Sequence, residues 1–147
     1  MCILSPDTNS QKTGPIEVIL PTYIMKPNQD EKFYPSKVKE VAEQVLKEEI
    51  DGANIDESFM KEWAENSEEM EALTKDIADR IKIQCRTSLK MPRYKLIVQV
   101  TIGQNKDQGV HIASRCLWDT STDNYASCQY KNSHIWASAI VFGMYTE

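Results

Sequence analysis

YKLIVQVTIG, residues 94–103, decides the class of fold. In an extended chain Tyr94, Leu96, Val98, Val100 and Ile102 fall on one side, and Lys95, Gln99 and Thr101 on the other. That two-residue period is the mark of a strand with one buried face. Immediately upstream stands Pro92, and before it the apolar residues recur at a different spacing. In KFYPSKVKEVAEQVLKEEIDG, Val38, Val41, Ala42, Val45, Leu46 and Ile50 share a helical face, while Lys37, Lys39, Glu40, Glu43, Lys47 and Glu48 share the other. The pattern predicts an amphipathic helix with Pro35 in its first turn and Gly52 at its end. A second helix is expected to start near Asn66, with Glu69 as a capping partner and Met70, Leu73, Ile77 and Ile81 as its apolar stripe. Between the two, Phe59, Met60 and Trp63 read as a connecting turn that also packs, with Trp63 buried.

Downstream, three more strands are expected, Val110 to Trp118, Tyr125 to Tyr130 and Ile135 to Tyr145, parted by the turn-rich GQNKDQG, DTSTDN and KNSH. Helices first and strands afterwards predict an α+β fold, two N-terminal helices packed on a four-stranded antiparallel sheet. No internal repeat interrupts that order. The residues before Phe33 differ in kind, since Pro6, Pro15, Pro21 and Pro27 are scattered among Ser, Thr and Asn. Residues 1–32 are therefore read as an extended N-terminal arm, and residues 33–147 as the folded domain. Within the arm Ile16, Val18, Ile19 and Leu20 form a short apolar run between two prolines, suited either to a loose tail or to a segment that orders on a partner.

Bulk properties narrow the function. A chain of 147 residues, 41% hydrophobic and 27% charged, fits one globular domain. Its net charge of −5 argues against a general nucleic-acid binder, which holds phosphate through surplus positive charge. No apolar run approaches the roughly 20 residues of a membrane helix, and MCILSPDTNSQKTG lacks the basic start and apolar stretch of a secretory leader. Cys2, Cys85, Cys116 and Cys128 include no CxxC pair and read as reduced thiols of a cytosolic protein.

The polar stretch SRCLWDTSTDNYASCQY, residues 114–130, invites a chemical reading. Asp119, Ser121 and Asp123 alternate like the opening ligands of a calcium loop, but Asn124 stands where that loop needs glycine and Tyr130 where it needs glutamate. Zinc would need Cys116, Cys128, His111 and His134, whose spacing matches no compact zinc module. A hairpin about Thr122 would instead set Cys116 opposite Cys128 as small buried groups. A Cys–His nucleophile can be drawn from Cys116 and either histidine, with nothing to fix its geometry. No phosphate loop is present. No catalytic, cofactor-binding or metal-binding residue is expected, and the chain is read as a non-enzyme. The segment GVHIASRCLW has no proline, one fixed charge in Arg115, and alternating Val110, Ile112, Cys116 and Trp118. Such a strand can pair on both sides, which suits dimerisation and peptide capture by strand addition.

At these residues the chain resembles a known family. YKLIVQVTIG, QGVHIASRCLWDTSTDNY and SAIVFGMY look like the Tctex-type dynein light chains, over roughly Phe33 to Glu147. Upstream, TYIMKPNQDEKFYPSKV is similar to the branch found in axonemal outer-arm dynein. The resemblance implies a strand-exchanged dimer without cofactor, in which Val110, His111, Ile112, Ala113, Ser114, Arg115, Cys116, Leu117 and Trp118 form the dimer and peptide-binding strand. Trp118 and Asp119 would mark its end. The implied partners are another Tctex-type light chain in a heterodimer, with a homodimer as the alternative, dynein intermediate chains, and the motor complex, with no nucleic acid and no membrane. The implied place is the cytoplasm and cytoskeleton, in the axoneme of a cilium or flagellum, where the chain supports outer-arm assembly and motility. The alternative is a cargo-adaptor light chain of cytoplasmic or intraflagellar-transport dynein.

Overall fold

The computed structural model describes residues 25–106 and 109–146. Most of the expected arm, residues 1–24, lies outside them. After a short 3₁₀ turn at Gln29–Glu31, the elements run α1 (Pro35–Gly52), α2 (Glu57–Glu65), α3 (Glu68–Ser88), β1 (Tyr94–Gln104), β2 (Asn124–Lys131) and β3 (Ile135–Tyr145). Helix α1 begins on Pro35, whose missing N–H would be unpaired in a first turn anyway. The residue in the left-handed region after the helix is Asn54, at φ 46°, rather than Gly52. Asn tolerates that conformation better than most side-chain-bearing residues.

Two expectations need correction. The linker carrying Phe59, Met60 and Trp63 is itself a helix, α2, capped by Asp56, whose carboxylate accepts the Phe59 amide at 2.9 Å. None of its residues is buried, and Met60 and Trp63 are only partly covered where they lean on the core. Three helices therefore precede the sheet. The start of α3 lies near Asn66 as expected, with the Asn66 side chain accepting the Glu68 amide at 3.1 Å. The second correction concerns the sheet, which is three-stranded among the described residues, ordered β1-β3-β2 and antiparallel throughout. Residues 110–118, expected to be a strand, pair with no strand among the described residues.

The last strand is thus the central one. On its helix-facing side β3 presents Ile135, Ala137, Ala139 and Val141, flanked by Leu96, Val98 and Val100 of β1 and by Ala126 and Cys128 of β2, all buried. Helix α1 lies over β2 and α3 over β1. Val38, Ala42, Val45, Leu46 and Ile50 of α1 meet Ile77, Ala78, Ile81 and Cys85 of α3 in one continuous core. Among the described residues no polar or charged residue is buried and no buried side-chain nitrogen or oxygen lacks a partner, so the side chains of the core pack by apolar contact. Arg80 joins α3 to Glu48 and Glu49 of α1 at the rim, and the Tyr130 hydroxyl donates to Asp51.

The two ends of the sheet are tied differently. At one end, Asn132 caps the β2–β3 turn by accepting the amides of His134 and Ile135 at 2.8 and 2.7 Å. At the other, Phe33 lies over Gly143, where an added Cβ would come within 2.3 Å of the ring. The same ring packs against Tyr94, with centroids 6.1 Å apart. The chain entering α1 is thereby pinned to the sheet.

Candidate functional site

The sheet face turned away from the helices is built from the alternate residues of the same strands. It carries Tyr125, Ser127, Gln129 and Lys131 of β2, and Trp136, Ser138, Ile140 and Phe142 of β3. On β1, Gly103 stands opposite Trp136 and leaves room for the indole, since a Cβ there would lie 2.4 Å from it. Trp118, Tyr125 and Phe142 form an aromatic cluster at the other end. Trp118 stacks on Tyr125 at 6.4 Å between centroids and meets Phe142 edge-on at 6.0 Å.

The segment 110–118 runs beside this face as an irregular, extended piece of chain. Together they enclose an open cavity of about 560 Å³, walled by Val110, Ile112, Cys116 and Trp118 on one side and by Tyr125, Gln129, Trp136 and Ile140 on the other. The segment is nevertheless solvent-exposed, with Val110 at 49%, Ile112 at 43% and Leu117 at 100%. Among the described residues, no backbone–backbone hydrogen bond involves 110–118. Backbone amides and carbonyls in this stretch therefore carry no ladder among the described residues and can bond another strand. His111, Ala113, Ser114, Arg115 and Cys116 are exposed as well, and only Trp118 is half-buried.

The turn that follows is rigidly organised. Asp119 accepts both the amide and the hydroxyl of Ser121, at 2.9 and 2.6 Å, and these bonds, the hydroxyl first, hold its carboxyl below the ordinary carboxylate range. Asp123 accepts the Asp119 amide at 3.0 Å with one oxygen and the Tyr145 amide at 2.7 Å with the other. The Tyr94 hydroxyl donates to the Thr122 carbonyl at 2.8 Å. Both aspartates are thus spent on the turn's own donors and on the end of β3, the arrangement of an Asx-type turn.

The residues weighed for zinc are dispersed. Cys128 is buried on the helix-facing side, His134 sits in the β2–β3 turn, and His111 and Cys116 lie on the exposed segment. The hairpin expected to set Cys116 opposite Cys128 does not form: residues 110–118 make no ladder with β2, whose ladder is with β3 on its other edge. Burial pushes the thiols of Cys85 and Cys128 up to about 11, so both stay protonated near neutrality. Among the described residues no group of three or more His, Cys, Asp or Glu could hold a metal ion.

Reading the sequence left out the second apolar face. Trp136, Ile140 and Phe142 alternate with the core residues of β3, so IWASAIVFGMY is nearly apolar throughout. A continuous apolar strand is what coverage on both faces produces, and that run was the signal available.

Comparison with known proteins fits this architecture. The Tctex-1 family model matches residues 32–144. The human dynein light chain Tctex-type protein 2B is 39% identical over 84% of this chain and 80% of its own length. Its zebrafish (Danio rerio) counterpart is 36% identical over 84% and 75%. The human dynein light chain Tctex-type 4 is 30% identical over 91% of this chain and 56% of its own. With the helices, the antiparallel sheet and the matched residues in agreement, the chain belongs to the Tctex-1 family, that of the Tctex-type dynein light chains.

Proposed function

We propose that this chain is a non-catalytic dynein light chain that dimerises with another Tctex-type light chain through residues 110–118 and binds dynein intermediate chain by strand addition. Its setting would be the outer arm of an axoneme, in a cilium or flagellum. The functional unit runs from Phe33 to Glu147, with residues 1–32 as an arm. One observation carries the reading. Val110–Trp118 has the composition of a strand, lies exposed without a ladder, and sits beside β2, whose outer edge is also unpaired among the described residues. Each is what the other kind of edge would bond to, and two copies exchanging this segment would satisfy both.

The test is Ile112→Pro. Proline removes an amide donor and obstructs a ladder on both sides. Because Ile112 makes no backbone hydrogen bond to another described residue, the folded secondary structure of the isolated protein, read by circular dichroism, is expected to be retained. Dimerisation, measured by sedimentation, and capture of intermediate-chain peptide in pull-downs are both expected to be lost. Binding that survives the substitution would overturn the mechanism. Subunits co-purifying with the tagged protein from cilia then distinguish an outer-arm role from cargo adaptation in another dynein.

A further inference from the structure

Hydrogen bonds in an antiparallel ladder alternate, so every second residue of a strand bonds to one neighbour and the residues between them to the other. On β2 the phase is set at the turn into β3, where the Asn132 amide donates to the Ile135 carbonyl at 2.9 Å, one step beyond the Lys131–Trp136 pair. Asn124, Ala126, Cys128 and Tyr130 therefore bond inward to β3. Tyr125, Ser127, Gln129 and Lys131 aim their amides and carbonyls at the free edge, and theirs are the side chains that face the groove. The Tyr125 amide is already taken, by the Asn124 side chain at 2.8 Å. Among the described residues the amides of Ser127, Gln129 and Lys131 are left open along this edge.

A strand that puts its apolar side in the groove can face this edge in one way. Val110, Ile112, Cys116 and Trp118 wall the groove, and directly opposed side chains of paired strands share a face. They come opposite the edge-bonding residues of β2, while Ala113, Arg115 and Leu117 come opposite Ala126, Cys128 and Tyr130, on the side covered by α1. When the segment is centred on the open amides and antiparallel like the rest of the sheet, Ile112, Ser114 and Cys116 meet Lys131, Gln129 and Ser127. Arg115 then stands opposite Cys128. The docking also covers Leu117, which is wholly exposed in the single chain.

Near Cys128, α1 offers the opposite charge. Burial is the main cause of the raised Cys128 thiol, and the nearby charge of Glu43 adds to it. The Glu43 carboxylate is exposed at the rim of α1, 3.7 Å from Lys39 one turn back on the same helix. At the end of that helix Asp51 accepts the Tyr130 hydroxyl, so α1 follows β2 along this side. Given the strand exchange proposed above, we infer that the segment on β2 comes from a second copy of this chain and that its Arg115 pairs with Glu43 of the other copy. As the one fixed charge on the segment, Arg115 is the residue that selects the partner.

Sedimentation of the whole chain tests the pairing. Arg115→Glu and Glu43→Lys are each expected to weaken self-association about tenfold or more, because a two-fold dimer turns both of its contacts repulsive at once. Mixed in equal amounts, the two variants are expected to dimerise as tightly as the parent, since both contacts between unlike chains then join opposite charges. Restoration in the mixture also shows that both variants fold, as expected of exposed positions. Self-association that either variant leaves unchanged overturns the inference, as do variants that stay apart in the mixture and a parent that is monomeric at every concentration. Ile112→Pro, run alongside, separates the contact from the exchange it builds on. If that substitution abolishes the dimer while the charge variants leave it intact, the strand exchange stands and the Arg115 contact falls.

Discussion

A methyl group placed on Gly143 would stand 2.3 Å from the Phe33 ring, whereas one placed on Gly52 would meet nothing within 4 Å. The two positions separate glycine as a space-maker from glycine as an accident of a helix end. Phe33 is 5% exposed and fixed between Tyr94 and the sheet, so it cannot swing aside cheaply. Gly143→Ala is expected to cost about 1–3 kcal/mol, the usual penalty of forcing extra volume into a packed site. Gly52→Ala is expected to be neutral or to gain up to about 1 kcal/mol, because alanine is the better helix former. Urea unfolding of the two variants beside the parent checks both. Gly103 faces a similar crowding against Trp136, but on a half-exposed face where the indole can move.

The turn between the exposed segment and β2 shows how one side chain can set the geometry of three elements. Asp123 links the Asp119 amide to the Tyr145 amide at the end of β3. Asp123→Ala is therefore expected to lower stability by about 1–2 kcal/mol, from hydrogen bonds to a charged acceptor, and to raise the exchange rate of the Tyr145 amide by NMR. An unaltered Tyr145 amide would mean that the turn is held by its backbone alone. The same elements show what the sequence could and could not reveal. The alternation of Tyr94 to Ile102 and the stripes of α1 and α3 are local patterns, and they read correctly because each element buries a face against its immediate neighbours. Helix α2 was missed as a helix because Phe59, Met60 and Trp63 are few and only partly covered, although Asp56 was a capping signal in plain view. Val110–Trp118 alternates like a strand, yet a strand exists only when paired, and no local pattern encodes the location of its partner. For the same reason the symmetric count about Thr122 misplaced Cys116 and Cys128, since the segment carrying Cys116 makes no ladder with β2.

Taken whole, the molecule rests on one apolar core that includes two thiols. Cys85 and Cys128 have an ordinary value of 9.0 and are pushed by burial to about 11. In the folded state they hold their protons over a range where the unfolded chain releases them. Their contribution to stability is therefore complete below pH 9 and is lost as the pH climbs toward about 11. Replacing both with alanine should flatten the fall of the denaturant midpoint across that interval, compared with the parent, while Cys116, being exposed, should react with alkylating reagents at neutral pH in the folded protein. Matching slopes for parent and double variant would remove the two thiols as the cause.

The placement of β3 between its neighbours reaches beyond the finished molecule. During synthesis, β1 and β2 emerge with nothing to join them, and the helices have no floor to rest on until Ile135–Tyr145 leaves the ribosome. The fold is therefore expected to form as nearly one unit, so a chain cut anywhere before Ile135 should lose the sheet altogether rather than keep a partial domain.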